Sequence, residues 1–383
     1  MPPQQNERIF YDGSNTFLPA ATAKFGRSPN LVKAYPSKFP ADLPFHLRFM
    51  ATISALVVPS LFYLGPFLLS LPLFLLLLVS KEASIAMLAL NIAFSYYPVK
   101  PWPSFRKVFQ LWYHMYDFHH NMLPNAQQHQ LEDTSLMIYS THPHGIIPIH
   151  GYLFCALIDQ LFPSRYGFGA LTDIAMRLPL LRQVMSWLSS APAQKRVIRK
   201  RMNAGQNLYI LPGGVSEIFL ACPGHHVIKT PRRGLMKLAL QSGAVLVPMY
   251  VFGANDFYQQ LATLGNQSGS SSFADVNNLF GKFQRKISRI ARGGFTFFWG
   301  QYGLPLPYNV KCSMVFGDPI ESVPGTLGRE KTLSGNKLTC EQIENPTDEQ
   351  IDELHARYTD ALIRLFEQYK EQAGYPESKL VLE

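Results

Sequence analysis

Cysteine is scarce and never closely paired: Cys155, Cys222, Cys312 and Cys340 stand far apart, with no Cys-x-x-Cys. That spacing gives no zinc signature and no dense disulfide framework, and it fits a reduced, cytosol-facing chain. Acidic residues are outnumbered, 26 Asp and Glu against 35 Lys and Arg, which leaves a net charge of +9. A basic excess suits an anionic surface or ligand, be it membrane, nucleotide cofactor or nucleic acid. The polar, Pro-rich N-terminus lacks a short apolar core, so no cleaved signal peptide is expected. No internal repeat runs through the 383 residues, a length that allows one large domain or two.

Charge is missing altogether from residues 49–80. About 20 apolar residues span a bilayer as a helix, and this run is longer. Lys81-Glu82 interrupts it, and residues 83–99 form a second uncharged stretch. Lys33, Lys38 and Arg48 precede the pair, while Lys100, Arg106 and Lys107 follow it. Basic flanks on both sides place both ends in the cytosol. The expectation is a membrane hairpin over 46–99, preceded by a mobile cytosolic tail over 1–45. Pro59, Pro66 and Pro72 leave open whether the hairpin spans or stays in one leaflet; a buried hairpin of a soluble protein is the alternative. A run of aromatics follows, Tyr96-Tyr97, Trp102, Phe105, Phe109, Trp112-Tyr113 and Tyr116. Such side chains favour headgroup depth, so 100–133 is expected to lie along the membrane.

From residue 134 the pattern becomes soluble α/β, here taken as one domain over 134–375. Short apolar runs bounded by turn residues predict strands at 135–140, 206–211, 244–252 and 312–316. Helical patterns lie between them at 173–189, 193–203 and 234–241. Alternation of the two argues for a sheet covered by helices on its faces. Lys282, Arg285, Lys286 and Arg289 share one helical face opposite Phe283, Ile287 and Ile290, which suits a membrane surface or an ordinary solvated helix. Thr347-x-x-Gln350 reads as a capping box, and apolar residues then keep helical spacing to a stop at Gly374.

Two motifs carry chemistry. The first predicted strand runs into Thr141-His142-Pro143-His144-Gly145. Histidine exchanges protons near neutral pH, and the end of a buried strand would hold it rigidly, as a general base requires. On a continuing strand the two imidazoles would share a face; a pair of histidines in a loop is the plainer alternative. The second is Pro212-Gly213-Gly214-Val215-Ser216-Glu217, also behind a strand. Its glycines let backbone N–H groups approach a developing oxyanion, as Gly145 would. Glu217 would orient an imidazole, unless it is only an exposed carboxylate in a helix's first turn. Arg232, Arg233 and Lys237 then put three cations near a helix start, a place for the phosphates of a carrier such as coenzyme A. Lys195, Arg196, Arg199, Lys200 and Arg201 form a second cluster that would serve the same end or simply be solvated.

In this order, His142-Pro143-His144-Gly145, Pro212-Gly213-Gly214-x-x-Glu217, Arg233-Gly234-Leu235-x-Lys237, Leu246-Val247-Pro248-x-Tyr250-x-Phe252-Gly253 and Gly317-Asp318-Pro319-Ile320 resemble the type-2 diacylglycerol acyltransferase family. The resemblance covers roughly 95–370. It implies an α/β fold with a glycerol-phosphate-acyltransferase-like mixed sheet and flanking helices behind an N-terminal membrane hairpin. It implies an endoplasmic-reticulum membrane enzyme, found also at lipid droplets, with its catalytic domain facing the cytosol. That enzyme would move a fatty acyl group from acyl-CoA to diacylglycerol, forming triacylglycerol. The distant glycerol-phosphate acyltransferases carry Asn-His-x4-Asp; His142 matches their histidine, and Ile147 stands at the Asp position, so Glu217 is expected to substitute. Ala254 departs from the family, where Glu is frequent.

The sequence-based assignment makes His142 the base, His144 a supporting or oxyanion-side group and Glu217 the orienting carboxylate. Gly145, Gly213 and Gly214 supply N–H groups, and Arg232, Arg233 and Lys237 hold acyl-CoA. No metal and no cofactor beyond the co-substrate acyl-CoA are expected. Partners are acyl-CoA, diacylglycerol and membrane lipid, not nucleic acid; self-association stays open. A monoacylglycerol or fatty-alcohol acyltransferase would share every motif, a His-x-His metal hydrolase would need further ligands, and a lipid-droplet coat protein would need no histidines.

Overall fold

The computed structural model describes residues 9–11, 17–19, 31–33, 43–121, 135–161, 166–229, 232–261, 286–288, 293–294, 296–332 and 335–383. Most of the tail over 1–45 and the basic stretch over 282–290, apart from 286–288, lie outside them.

The four expected strands form and pair with one another. They are β3 (Met137–His142), β6 (Leu208–Ile210), β7 (Val245–Phe252) and β8 (Cys312–Phe316). Among the described residues four shorter strands join the sheet: β1 (Val32–Lys33), β2 (Phe118–His120), β4 (Phe168–Leu171) and β5 (Ala191–Pro192). The eight lie in the order β1-β2-β8-β7-β3-β6-β4-β5. From β7 through β5 every neighbouring pair is parallel, while β8 runs antiparallel to β7. Parallel strands are covered on both faces, which is why β3 and β7 are buried at every position. Their residues alternate between two cores. Met137, Tyr139, Val245, Val247, Met249 and Val251 face one, whereas Ile138, Leu246, Tyr250 and Phe252 face the other.

Helices fill both faces. The first core is closed by α3 (Ile149–Leu161). The second is closed by α5 (Lys195–Asn203), α7 (Arg233–Ser242) and α8 (Asp348–Ala373). The predicted capping box is present: Thr347 Oγ1 accepts from Gln350 N, and the Gln350 side chain accepts from Thr347 N. The helix expected over 173–189 is broken instead. A three-residue 3-10 turn (Ala175–Arg177) precedes α4 (Leu181–Trp187). Pro179 cannot continue a helix, and Leu180 adopts φ 63°, so the axis cannot pass between them.

The two uncharged runs form α1 (Phe45–Leu78) and α2 (Lys81–Tyr96), which pack together. Ser80 separates them and caps α2, its hydroxyl accepting from Ala83 N at 3.2 Å. Asn91, the one amide side chain in α2, donates to Leu68 O of α1 and so is satisfied between the helices. One stripe of α1 (Ala51, Ala55, Val58, Leu61) is buried, while Phe49, Ile53, Leu64 and Phe67 are exposed. Gly65 lets this stripe close on the sheet domain, since a Cβ there would stand 2.9 Å from Leu178 Cβ.

The aromatic run corrects an expectation. Tyr96, Tyr97 and Trp102 are exposed, but Phe109, Trp112, Tyr113 and Tyr116 are 0% exposed and belong to the first core. They sit on a 3-10 segment (Pro103–Leu111) and a single turn (Trp112–Met115) against α1 and α3. Trp112 Nε1 donates to Ser54 Oγ of α1 at 2.9 Å. Aromatic rings fill a core as readily as a headgroup layer, so their density alone did not separate the two. Trp112→Ala is expected to destabilise the fold by about 3–5 kcal/mol, read as a lowered Tm, with Trp102→Ala close to wild type.

Candidate active site

The site forms where two parallel neighbours end. β3 terminates at His142, and α3 begins at Ile149 after the Pro143–Pro148 turn. β6 terminates at Ile210, and the Gly213-Gly214 turn leads into α6 (Val215–Leu220). Ligands of open α/β sheets bind beyond the carboxyl ends of the strands, and both motifs stand there.

Glu217 ties the motifs together. It is fully buried and accepts three hydrogen bonds: from His142 Nδ1 to Oε1 at 2.7 Å, from His144 N to Oε2 at 2.7 Å, and from Lys229 N to Oε1 at 3.0 Å. Burial pushes its carboxyl up, but His142 and the backbone donors outweigh burial and hold it below the ordinary value. An ionised Glu217 can only accept, so His142 Nδ1 carries a proton. Gly213 makes the arrangement possible, because a Cβ there would stand 1.9 Å from the Glu217 carboxyl carbon. The third donor comes from afar. Lys229 follows a two-residue strand (Val227–Ile228) paired in parallel with Val381–Leu382, and Lys229 Nζ meets Glu383 Oε2 at 3.0 Å.

The two histidines do not share a face, since the strand stops at the first of them. The His142 side chain is 0% exposed, and its Nε2 has no hydrogen-bond partner among the described residues. His144 turns to a cavity of about 640 Å³ and is the one histidine among the described residues that line it. Its Nδ1 lies 2.8 Å from Gly145 O. A carbonyl only accepts, so Nδ1 donates and the neutral ring keeps its lone pair on Nε2. Burial lowers the pKa of His144 below the ordinary histidine value, against the opposing pull of Gly145 O and Glu217. Gly145 holds the turn at φ +66°, and a Cβ there would meet Ala254 O at 2.7 Å.

The cavity is apolar along most of its length, with Tyr63 of α1, Ile147, Leu178 and Phe298 in its walls. Lys195, Arg232 and Lys237 also line it. Two of the expected acyl-CoA cations, Arg232 and Lys237, thus reach the chamber. Arg233 does not. Its guanidinium pairs with Asp348 at 2.7 Å and Asp352 at 2.5 Å, both on α8. A second correction concerns Gly214, whose N–H donates to Leu211 O within the turn and is not directed at a substrate oxygen. Sequence reasoning missed the contribution of α1 to the wall and the Lys229 N–H, because neither has a local signal. Among the described residues no three His, Cys, Asp or Glu side chains gather as metal ligands.

Fold and site together define an α/β protein with a buried histidine–carboxylate cluster beside an apolar chamber fringed with cations. The chain belongs to the diacylglycerol acyltransferase family, whose profile matches residues 76–383. It is 29% identical over 266 residues to mouse diacylglycerol O-acyltransferase 2, covering 67% of this chain and 62% of that one. It thus spans less than two thirds of that relative's length. A Dictyostelium discoideum diacylglycerol O-acyltransferase 2 is 30% identical over 254 residues, covering 63% of this chain and 68% of its own. Bovine 2-acylglycerol O-acyltransferase 1 is 30% identical over 267 residues, at 66% and 70% coverage. Among solved structures, the 1-acyl-sn-glycerophosphate acyltransferase PlsC of Thermotoga maritima aligns over 85% of this chain and 93% of its own, with TM-score 0.39 and 13% identity.

Proposed function

We propose that this chain transfers a fatty acyl group from acyl-CoA to the free hydroxyl of diacylglycerol, with His144 as the general base. The observation that carries the reading is the neutral His144 imidazole on the wall of an apolar chamber that also presents Lys195, Arg232 and Lys237. The acceptor hydroxyl gives its proton to His144 Nε2 as its oxygen attacks the thioester carbonyl. The tetrahedral oxyanion is met by main-chain N–H groups of the Gly145 and Gly213 turns. The C–S bond then breaks, and the imidazolium returns the proton to the coenzyme A thiolate. The step uses no metal. This reverses the roles expected from the sequence: His142 orients Glu217, and Glu217 holds the His144 backbone.

Cations suit the carrier's phosphates, and apolar walls suit the acyl chain. Incubating membranes that contain the protein with labelled acyl-CoA and a panel of acceptors tests the reaction and its range. Transfer to monoacylglycerol or a fatty alcohol in preference to diacylglycerol would move the acceptor assignment; no transfer to any of them would end it.

The reading places the protein in the endoplasmic-reticulum membrane and at lipid droplets, with the 134–375 domain on the cytosolic side. It assigns the sheet to the glycerol-phosphate-acyltransferase arrangement, with 46–99 as the membrane hairpin. Residues Phe45–Leu68 of α1 have the length and composition to cross a membrane. The 16 residues of α2 reach only about 24 Å, short of a hydrocarbon core of about 30 Å. That mismatch favours a hairpin that re-enters one leaflet over two full spans.

Arg232→Ala and Lys237→Ala are expected to raise the KM for acyl-CoA by about 10-fold or more each, since charge-assisted phosphate contacts are worth about 1.5–3 kcal/mol once substrate covers them. KM for the acceptor stays near wild type. Arg233→Ala, its charge already met by α8, leaves both values unchanged. A rise confined to Arg233→Ala in steady-state kinetics would reject the assignment.

A further inference from the structure

Among the described residues away from the hairpin, one other surface is conspicuously apolar. From Gly293 to Val310 the sequence has no Asp, Glu, Lys or Arg, in a chain of net charge +9. Within this stretch Phe297 is 58% exposed, Tyr302 88% and Leu304 47%. Their exposure does not come from a loose loop. Gly300 N donates to Leu304 O, Gly303 N to Gly300 O, and Leu304 N to Gln301 O, while Gln301 pairs with Leu306 in an antiparallel bridge. Tyr302 stands at the apex in a left-handed conformation, φ 57°, which ordinary side chains adopt only where the surroundings hold them.

The turn is fastened to α1. Tyr63 stacks on Phe298 with ring centroids 4.6 Å apart, its hydroxyl donates to Phe298 O at 2.8 Å, and Phe298 N donates back to it at 2.8 Å. Leu64 and Phe67, beside and one turn beyond Tyr63, are exposed on α1. The turn is thus joined through Tyr63 to the part of α1 that carries these exposed apolar side chains. Exposed apolar patches of this kind mark contact surfaces, and a tyrosine with an apolar ring and a polar tip suits the bilayer boundary.

We propose that the 297–304 turn is a second bilayer-inserting element, which enters the same leaflet as the α1–α2 hairpin and seats the sheet domain against the lipid. Phe62, Tyr63, Thr296 and Phe298 all line the chamber, so the contact between α1 and this segment forms part of the chamber wall. The absence of charge points to hydrocarbon and carbonyl-level contact, not to recognition of anionic headgroups. The inference rests on the membrane reading of the hairpin, and its test separates the two.

Bimane attached at Tyr302→Cys, and independently at Leu304→Cys, reports the turn; Phe49→Cys reports the hairpin and Glu377→Cys an aqueous site. Each full-length protein is reconstituted in phosphatidylcholine vesicles and exposed to doxyl-labelled lipid or to iodide. Wild type, whose cysteines are buried or partly buried, corrects for background labelling. The expected result is loss of fluorescence to doxyl lipid at 49, 302 and 304 with protection from iodide, and the opposite at 377. Quenching at 49 with iodide access at 302 and 304 overturns the proposal and leaves the hairpin intact. Protection of 302 and 304 from both quenchers overturns it too, and points to a second copy of the chain covering the turn. No doxyl quenching at 49 rejects the hairpin reading itself, whatever the turn does.

Discussion

His144→Ala is expected to lower turnover by about 10²–10⁴-fold, the usual contribution of a positioned general base, with protein level and Tm near wild type. The side chain is partly buried on the chamber wall, and among the described residues its one hydrogen bond goes to the neighbouring Gly145 carbonyl, so its removal leaves little unsatisfied. His142→Ala should behave differently. It leaves Glu217 buried with two donors in place of three, so Tm falls together with rate. Loss of rate in His142→Ala at unchanged Tm, with His144→Ala near full rate, would restore the assignment read from sequence. The pH profile supplies a second test. Only neutral imidazole accepts the proton, and burial holds the pKa of His144 below the ordinary value of about 6.5. The acid limb of kcat/KM should therefore lie below pH 6.5, with activity retained down to it; a limb above pH 6.5 would contradict the assignment.

The second large effect is expected at the carboxylate. In Glu217→Gln an NH2 group replaces one oxygen, yet all three partners are N–H donors. Whichever way the amide turns, at least one donor faces another. The less costly orientation keeps Oε1 for His142 and Lys229 and sets the NH2 against His144 N. An unmade buried hydrogen bond of this kind costs about 1–3 kcal/mol, and the backbone that carries the base is the part released. Turnover should fall about 10–100-fold, with KM for both substrates nearly constant. Gly213→Ala should be at least as severe, because its methyl would occupy the space of the Glu217 carboxyl. Steady-state kinetics at matched expression decides both. Full rate in Glu217→Gln would show that the charge is dispensable and that something else positions the base.

Much of this architecture was legible before any coordinates. The central strands are short, wholly apolar runs between turn residues, because a parallel sheet buries both faces. Thr347 and Gln350 marked the start of α8 because capping is decided within four residues. The approach of Glu217 to the histidine motif could be anticipated from two polar knots behind two strands. Other features depend on partners distant in sequence. Arg232 and Arg233 look equivalent in the chain, yet Arg232 is the extended residue before α7 and reaches the chamber, while Arg233 opens the helix and pairs with Asp348 and Asp352. The sequence placed the strand at 135–140, whereas it runs on to His142 and buries that side chain, which leaves His144 in the turn to face the chamber. Trp112 read as interfacial because its partners, Ser54 and Tyr152, lie on helices before and after it.

The Lys229 N–H that steadies Glu217 has a consequence for the order in which the protein becomes competent. Its strand finds its ladder partner at Val381–Leu382, and Lys229 meets Glu383, a residue 154 positions onward in the chain. During synthesis, then, both motifs and the cations of the chamber emerge well before the segment that braces the carboxylate. A chain that has released only these would hold an unfinished site, with the Lys229 N–H not yet fixed against Glu217.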